Sequence, residues 1–161
     1  MTYTLESLAA EQEELLLDTF DYDIAWALGQ ILRDRASAIG APVAIEISHG
    51  TTPVFVALLP GATVDNLDWT GRKRAVAHRF HRSSLAMRLE AEKAGFDFNE
   101  RYRLSKETFV ASGGGVPLIL RNGTLIGTAS VSGLPDADDH RLIVEGILAL
   151  IGGPQGSHPT L

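Results

Sequence analysis

An Asn-Gly pair at 122–123, set between two apolar runs, constrains this chain of 161 residues more than any other feature. Both residues accept the positive φ that a two-residue type I′ turn requires, and the twist of that turn matches the strands it joins. The pair predicts a hairpin in which Arg121 faces Thr124, Leu120 faces Leu125 and Ile119 faces Ile126. Ser112 and the triplet Gly113-Gly114-Gly115 feed the first strand, and Ser132-Gly133-Leu134 end the second.

A second hairpin is legible over 42–59, where Val43, Ile45 and Ile47 alternate with smaller or polar residues, His49-Gly50-Thr51-Thr52 turns, and Pro53–Leu59 returns. Helical periodicity fills the remainder. Leu5, Leu8 and Leu15 predict a helix over 5–17. Ile24, Ala27, Leu28, Ile31 and Leu32 predict another from Asp21 or Asp23 to Ile39, with Gly40 at its C-terminal cap. Residues 65–94 read as one long helix or two abutting ones, with Asp65 as N-cap and Gly95 as the stop. Within 96–111, Ser105 can cap a short helix through Phe109 and Val110, and Asp136 or Asp138 opens a last helix bearing Leu142, Ile143, Ile147 and Leu150. The order α-α-β-β-α-α-β-β-α, with two hairpins able to join in one antiparallel sheet, predicts an α+β fold. A single domain over 1–151 and a flexible, Gly- and Pro-containing tail over 152–161 are expected.

Composition removes several functional classes. The absence of cysteine excludes disulfides, thiolate nucleophiles, iron–sulfur clusters and thiolate zinc sites. No apolar run reaches the ~18 residues of a membrane span, and residues 1–6 lack the pattern of a signal peptide, so the cytoplasm is the expected compartment. The net charge of −6 disfavours nucleic acid as a partner, but the charge is unevenly spread. Residues 1–23 hold seven acidic groups and no basic one, whereas residues 72–88 hold Arg72, Lys73, Arg74, Arg79, Arg82 and Arg88 and no acidic one.

Candidate chemistry is sparse. The glycine triplet can bring backbone N–H groups to an anion, or simply bend sharply into a strand. The basic segment can hold carboxylates or phosphates bidentately, or pair with the acidic N-terminal helices of the same or a neighbouring subunit. His78 and His81, three apart on a helix, have metal-ligand spacing without a third ligand nearby. Asp138-Asp139-His140 resembles part of an acid–base site, although adjacent helical residues do not face one another, and helix capping by Asp136 or Asp138 is the plainer reading. No Gly-x-Ser-x-Gly elbow supports hydrolysis.

Taken together, Arg72-Lys73-Arg74, Val76, Arg79-Phe80 and Ser83-Ser84, followed by Gly113-Gly114-Gly115-Val116-Pro117, Ile126-Gly127, Val131–Pro135 and Asp139-His140, resemble the motifs of the heme-degrading-domain group (GlcG/HbpS-like), in its short cytosolic branch. Ser112 stands where that pattern commonly has histidine. The resemblance implies a profilin-like antiparallel sheet with flanking helices, assembly into homo-oligomers, and a link to heme. With it, the basic helix and glycine loop become a site for an anionic small molecule such as heme, held through Arg72, Arg74, Arg79, Ser112, Gly113 and Gly114. The alternative is a non-enzymatic assembly protein in which the same motifs are structural, and catalysis is left open.

Overall fold

The computed structural model describes residues 2–153. Ten elements follow in order: α1 (Leu5–Glu14), α2 (Tyr22–Ala38), β1 (Ala44–His49), β2 (Thr52–Leu58), α3 (Val64–Phe80), α4 (Ser84–Ala94), α5 (Phe98–Tyr102), β3 (Gly115–Ile119), β4 (Leu125–Ser132) and α6 (Asp136–Gly152). The two hairpins join through β1 and β4 into one antiparallel sheet of order β2-β1-β4-β3, the α+β architecture expected of the chain. Gly152 closes α6, and the tail expected over 152–161 lies outside the described residues from 154 onward.

The strands' two-residue period sorts the sheet into unlike faces. Ile45, Ile47, Val116, Leu118, Ala129 and Val131 point one way and merge with Leu28 and Leu32 of α2 and Ile143 and Ile147 of α6 in the main core. Glu46, Ser48, Thr128, Ser130 and Ser132 point the other way, all buried. On that side Glu46 meets α3, whose Thr70 Oγ1 donates to Glu46 Oε2 at 3.1 Å. A smaller apolar cluster of Val76, Met87, Ala91 and Phe98, with Phe80 and Tyr102 packed on it, joins α3, α4 and α5.

Several boundaries differ from expectation for identifiable reasons. Of the two readings of 65–94, the structure has the two abutting helices, α3 and α4, because His81 takes the left-handed conformation (φ 56°) and Ser83 caps the next helix through the Ala86 N–H. Thr63 rather than Asp65 caps α3, in a reciprocal box with Asn66. The first helix stops at Glu14, which frees Leu17 to bridge Leu120 beside β3. Ser105 closes a turn instead of a helix, and the short helix lies earlier, capped by Asp97. The hairpin turn is corrected as well. Gly123 has φ 91° but Asn122 has no positive φ, so the type I′ turn is excluded. The Gly123 N–H instead bonds Leu120 O at 2.8 Å and the ladder shifts by one residue at the tip, pairing Ile119 with Leu125. That is the three-residue hairpin with a glycine bulge. Past the bulge, Leu118 pairs with Gly127 and Pro117 with Thr128, the register that the two-residue turn would have produced.

Candidate functional site

The buried cluster that holds the motif residues together is centred on Lys73. Its position on α3 faces the sheet, with Thr70 and Ala77 one turn either side, all three buried. Lys73 Nζ lies 2.9 Å from Asp139 Oδ2, with side-chain exposures of 3% and 1%, and also donates to Val131 O at 3.1 Å. Asp139, in the first turn of α6, accepts in addition from the Leu134 N–H at 2.9 Å and the Gly133 N–H at 3.4 Å. Burial raises the Asp139 carboxyl above its usual value of 3.8, an effect opposed by the Lys73 charge and by these hydrogen bonds.

The glycine loop wraps this pair. The Gly113 N–H donates to Asp136 Oδ2 at 2.9 Å, the Gly115 N–H to Ser84 Oγ at 2.8 Å, and Gly114 O accepts from the Val131 N–H at 2.8 Å. At 114 a Cβ would stand 2.3 Å from Val131 O and 2.9 Å from Lys73 Nζ, and φ is 123° there, so only glycine lets the loop close over the amine. Asp136 also meets Arg88 of α4, with Nε 2.7 Å from Oδ2. The triplet is therefore a close-packed bend, and its donors at 113 and 115 are engaged inside the chain.

The six residues expected to hold an anion do not converge. Arg72 lies against Asp68 (Nε to Oδ2, 2.9 Å) and over the Trp69 ring at 4.3 Å. Arg74 points to the sheet, with Nε 2.8 Å from Glu46 Oε1 and Nη1 donating to Thr51 O at 3.2 Å. Arg79 is exposed, Ser112 is half-buried, and Gly113 and Gly114 are buried at the Lys73 cluster. Within the chain, Arg72 and Arg74 do not pair with the acidic N-terminal helices, one form of the competing expectation for the basic run: their carboxylates come from α3 and β1.

Asp139 and His140 diverge, as adjacent helical residues must. His140 is buried, its Nε2 2.6 Å from Glu11 Oε1 of α1 and its ring edge-on to Tyr3 at 5.0 Å; its buried Nδ1 has no hydrogen-bond partner among the described residues. Neither Asp136 nor Asp138 caps α6, whose N-cap is Pro135. Among the described residues no three of the His, Asp and Glu side chains gather to hold a metal ion.

Heme needs an apolar slot and an axial donor. His140 is enclosed between Glu11 and Tyr3. Three clefts, of about 460, 450 and 280 Å³, open beside α5, between α1 and α4, and between Ile39 and α6, and none has a histidine in its lining. Among the described residues, neither His140 nor these three clefts combine an apolar slot with an axial histidine.

A four-stranded antiparallel sheet covered by α2 and α6 on an apolar face and by α3 on a polar one, with a buried Lys–Asp pair under a glycine loop, defines the class to which this chain is assigned. The chain belongs to the family described as Haem degrading protein HbpS-like, whose model matches residues 20–148. It is 38% identical over 152 residues to a UPF0303 protein of Paraburkholderia phytofirmans, covering 94% of this chain and 92% of that one. Among solved structures, the Ybr137w protein superposes with a TM-score of 0.86 at 26% identity, over 93% of this chain and 90% of the other. A complex of PduOC with heme shares the fold, with a TM-score of 0.68 at 19% identity over 81% and 94% of the two chains. Among the described residues no helix is long and apolar enough to cross a membrane.

Proposed function

We propose that this chain binds an anionic small molecule on the exposed side of α3, anchored by Arg79. The observation that carries this reading is the state of the arginines. Arg72 and Arg74 each lie against a carboxylate, whereas the Arg79 guanidinium is exposed with no partner among the described residues. A free guanidinium takes carboxylate or phosphate oxygens bidentately. Heme, through its propionates, is the first molecule to test, because the chain's family is described as haem degrading and PduOC was solved with heme.

Hemin titration followed at the Soret band tests this. The wild type is expected to shift the band, and R79A to weaken binding about ten-fold, or ~1.4 kcal/mol. No shift removes heme and leaves a thermal-stability screen against carboxylates and phosphates, in which R79A must abolish any stabilisation. A screen without stabilisation ends the ligand reading. A second reading, a non-enzymatic assembly protein, is favoured by one observation: Lys73, Ser84, Gly113, Gly115, Asp136 and Asp139 of the motifs satisfy one another or backbone groups nearby.

A further inference from the structure

The Asn122-Gly123 pair at the tip of the second hairpin carries a chemistry separate from its turn. Residues 121–124 are exposed, so water and hydroxide reach the pair. The Thr124 N–H donates to Asn122 Oδ1 at 3.0 Å, which turns the side-chain amide toward the backbone that follows it and draws electrons from its Cγ. Gly123 has no side chain over its nitrogen, and even a Cβ there would meet nothing within 4 Å beyond its chain neighbours. The other asparagines of the chain, Asn66 and Asn99, lack this arrangement. Asn66 lies in the first turn of α3 and precedes Leu67. Asn99 lies in α5 and precedes Glu100, and its Nδ2 donates to Leu104 O at 3.3 Å and to Phe109 O at 2.9 Å.

We propose that Asn122 is a modification site, deamidating through a cyclic imide with Gly123, and that its isoaspartyl product frees Leu17 from the edge of the sheet. Hydroxide removes the Gly123 amide proton, and the nitrogen attacks Asn122 Cγ. The N–Cγ bond forms, the Cγ–Nδ2 bond breaks, and Nδ2 takes a proton from water and leaves as ammonia. In between, the Thr124 N–H stabilises the charge gathering on Oδ1, as a donor aimed at a developing oxyanion does. Water then opens the imide. Attack at Cγ leaves aspartate in an ordinary chain. Attack at the main-chain carbonyl carbon of residue 122 leaves isoaspartate, whose backbone runs through Cβ and Cγ and is longer by a methylene. Water is consumed, ammonia is released, and nothing is oxidised or reduced.

The Gly123 N–H bond to Leu120 O at 2.8 Å must open before the nitrogen can react. It lies beyond Ile119 and Leu125, the last pair of the ladder, where opening costs least. The product acts beyond the tip. Leu17 covers the β3 edge by donating to Ile119 O and accepting from the Arg121 N–H, each at 2.9 Å. Arg121 is aimed at Leu17 by the turn itself, through the Gly123 N–H on Leu120 O and the Leu120 N–H on Thr124 O at 2.9 Å. A methylene inserted between residues 122 and 123 moves both partners out of reach of Leu120, and the Arg121 N–H loses its direction. Charge alone does not do this, so the aspartyl product keeps the turn.

The test holds the folded chain at mildly alkaline pH over days and follows it by isoelectric focusing and peptide mass mapping. The wild type is expected to gain a form more acidic by a single charge, mapping to residue 122 as aspartate and isoaspartate. N122Q is expected to gain none, because its longer side chain would have to close a larger, less favourable ring. In the purified isoaspartyl form, hydrogen exchange at Leu17 and Arg121 is expected to quicken roughly ten-fold or more. N122D, which has the charge and the ordinary backbone, is expected to exchange there as the wild type does. No acidic form, an acidic form mapping only to Asn66 or Asn99, or exchange at Leu17 that is unchanged in the isoaspartyl form or equally fast in N122D each overturns the proposal.

Discussion

Lys73 sits in a run of three cations, and only its helical phase separates it from its neighbours. Read from the sequence, Arg72-Lys73-Arg74 is a charged face for anions or for acidic helices, yet position 73 shares the buried row of Thr70, Val76 and Ala77. That row was readable in the sequence; the partner was not, because Asp139 lies 66 residues away and no local rule joins them. Glu46 carried a similar signal, an acid inside the strand Val43–Ile47, without any sign that Arg74 and Thr70 would meet it. Removing the Lys73 amine leaves Asp139 buried with backbone donors alone. K73M is therefore expected to lose about 3–5 kcal/mol in urea unfolding at neutral pH. The loss should depend on pH. A carboxyl raised above 3.8 contributes stability that is complete below that value and disappears as pH rises through its folded pKa. In K73M that folded pKa climbs further, so the variant's deficit should narrow as the medium is acidified from neutrality. A deficit that stays constant with pH would mean that Asp139 is not held as a buried carboxylate. Replacing both partners, as K73M/D139L, should recover much of the loss.

Among the elements, α1 is the one whose place could not be inferred from its own sequence. Its amphipathic pattern and the box formed by Thr4 and Ser7 define a helix, but ten residues do not sustain a helix alone. What fixes it is tertiary. Leu8 packs with Leu85 and Ala86, Gln12 Nε2 donates to His81 O at 2.8 Å, and Glu11 holds His140 of α6. The last contact removes the acid–base reading of Asp139-His140, since each residue is held by a different element. A charged hydrogen bond of this kind contributes about 1.5–3 kcal/mol. E11A is thus expected to speed hydrogen exchange of the α1 amides by roughly ten-fold or more (~1.4 kcal/mol), leaving β1 and β4 unchanged. Equal acceleration in β4 would show that α1 is part of the global unfolding unit. Helices and hairpins were legible here because caps, glycine stops and alternation are local. The exceptions, His81 in a left-handed conformation and the bulged tip at Gly123, are places where neighbouring structure chose among locally permitted turns.

At the scale of the whole molecule, the two faces of the sheet should differ in stability. Both hairpins could be read from the chain, but their joining through β1 and β4 rests on pairing between residues as far apart as Ala44 and Ser132, which pattern alone does not specify. Once joined, the strands present Ile45, Ile47, Val131 and Leu118 to α2 and α6, and this apolar layer supplies most of the buried core. The α3 side covers Glu46, Ser48, Thr128 and Ser130, whose burial yields little hydrophobic stabilisation, and its own apolar cluster with α4 and α5 is small. The Lys73–Asp139 pair and the glycine loop tie that layer to α6 and β4. Native-state exchange in low denaturant should accordingly find α4 and α5 opening in a partial step below the global free energy. Amides of α2, α6, β1 and β4 should exchange only on complete unfolding. In K73M the partial step should widen to include α3, because the tie is cut while the apolar layer is untouched. Exchange isotherms that merge at a single opening energy, in the wild type and in K73M alike, would show instead that the polar and apolar faces unfold as one unit.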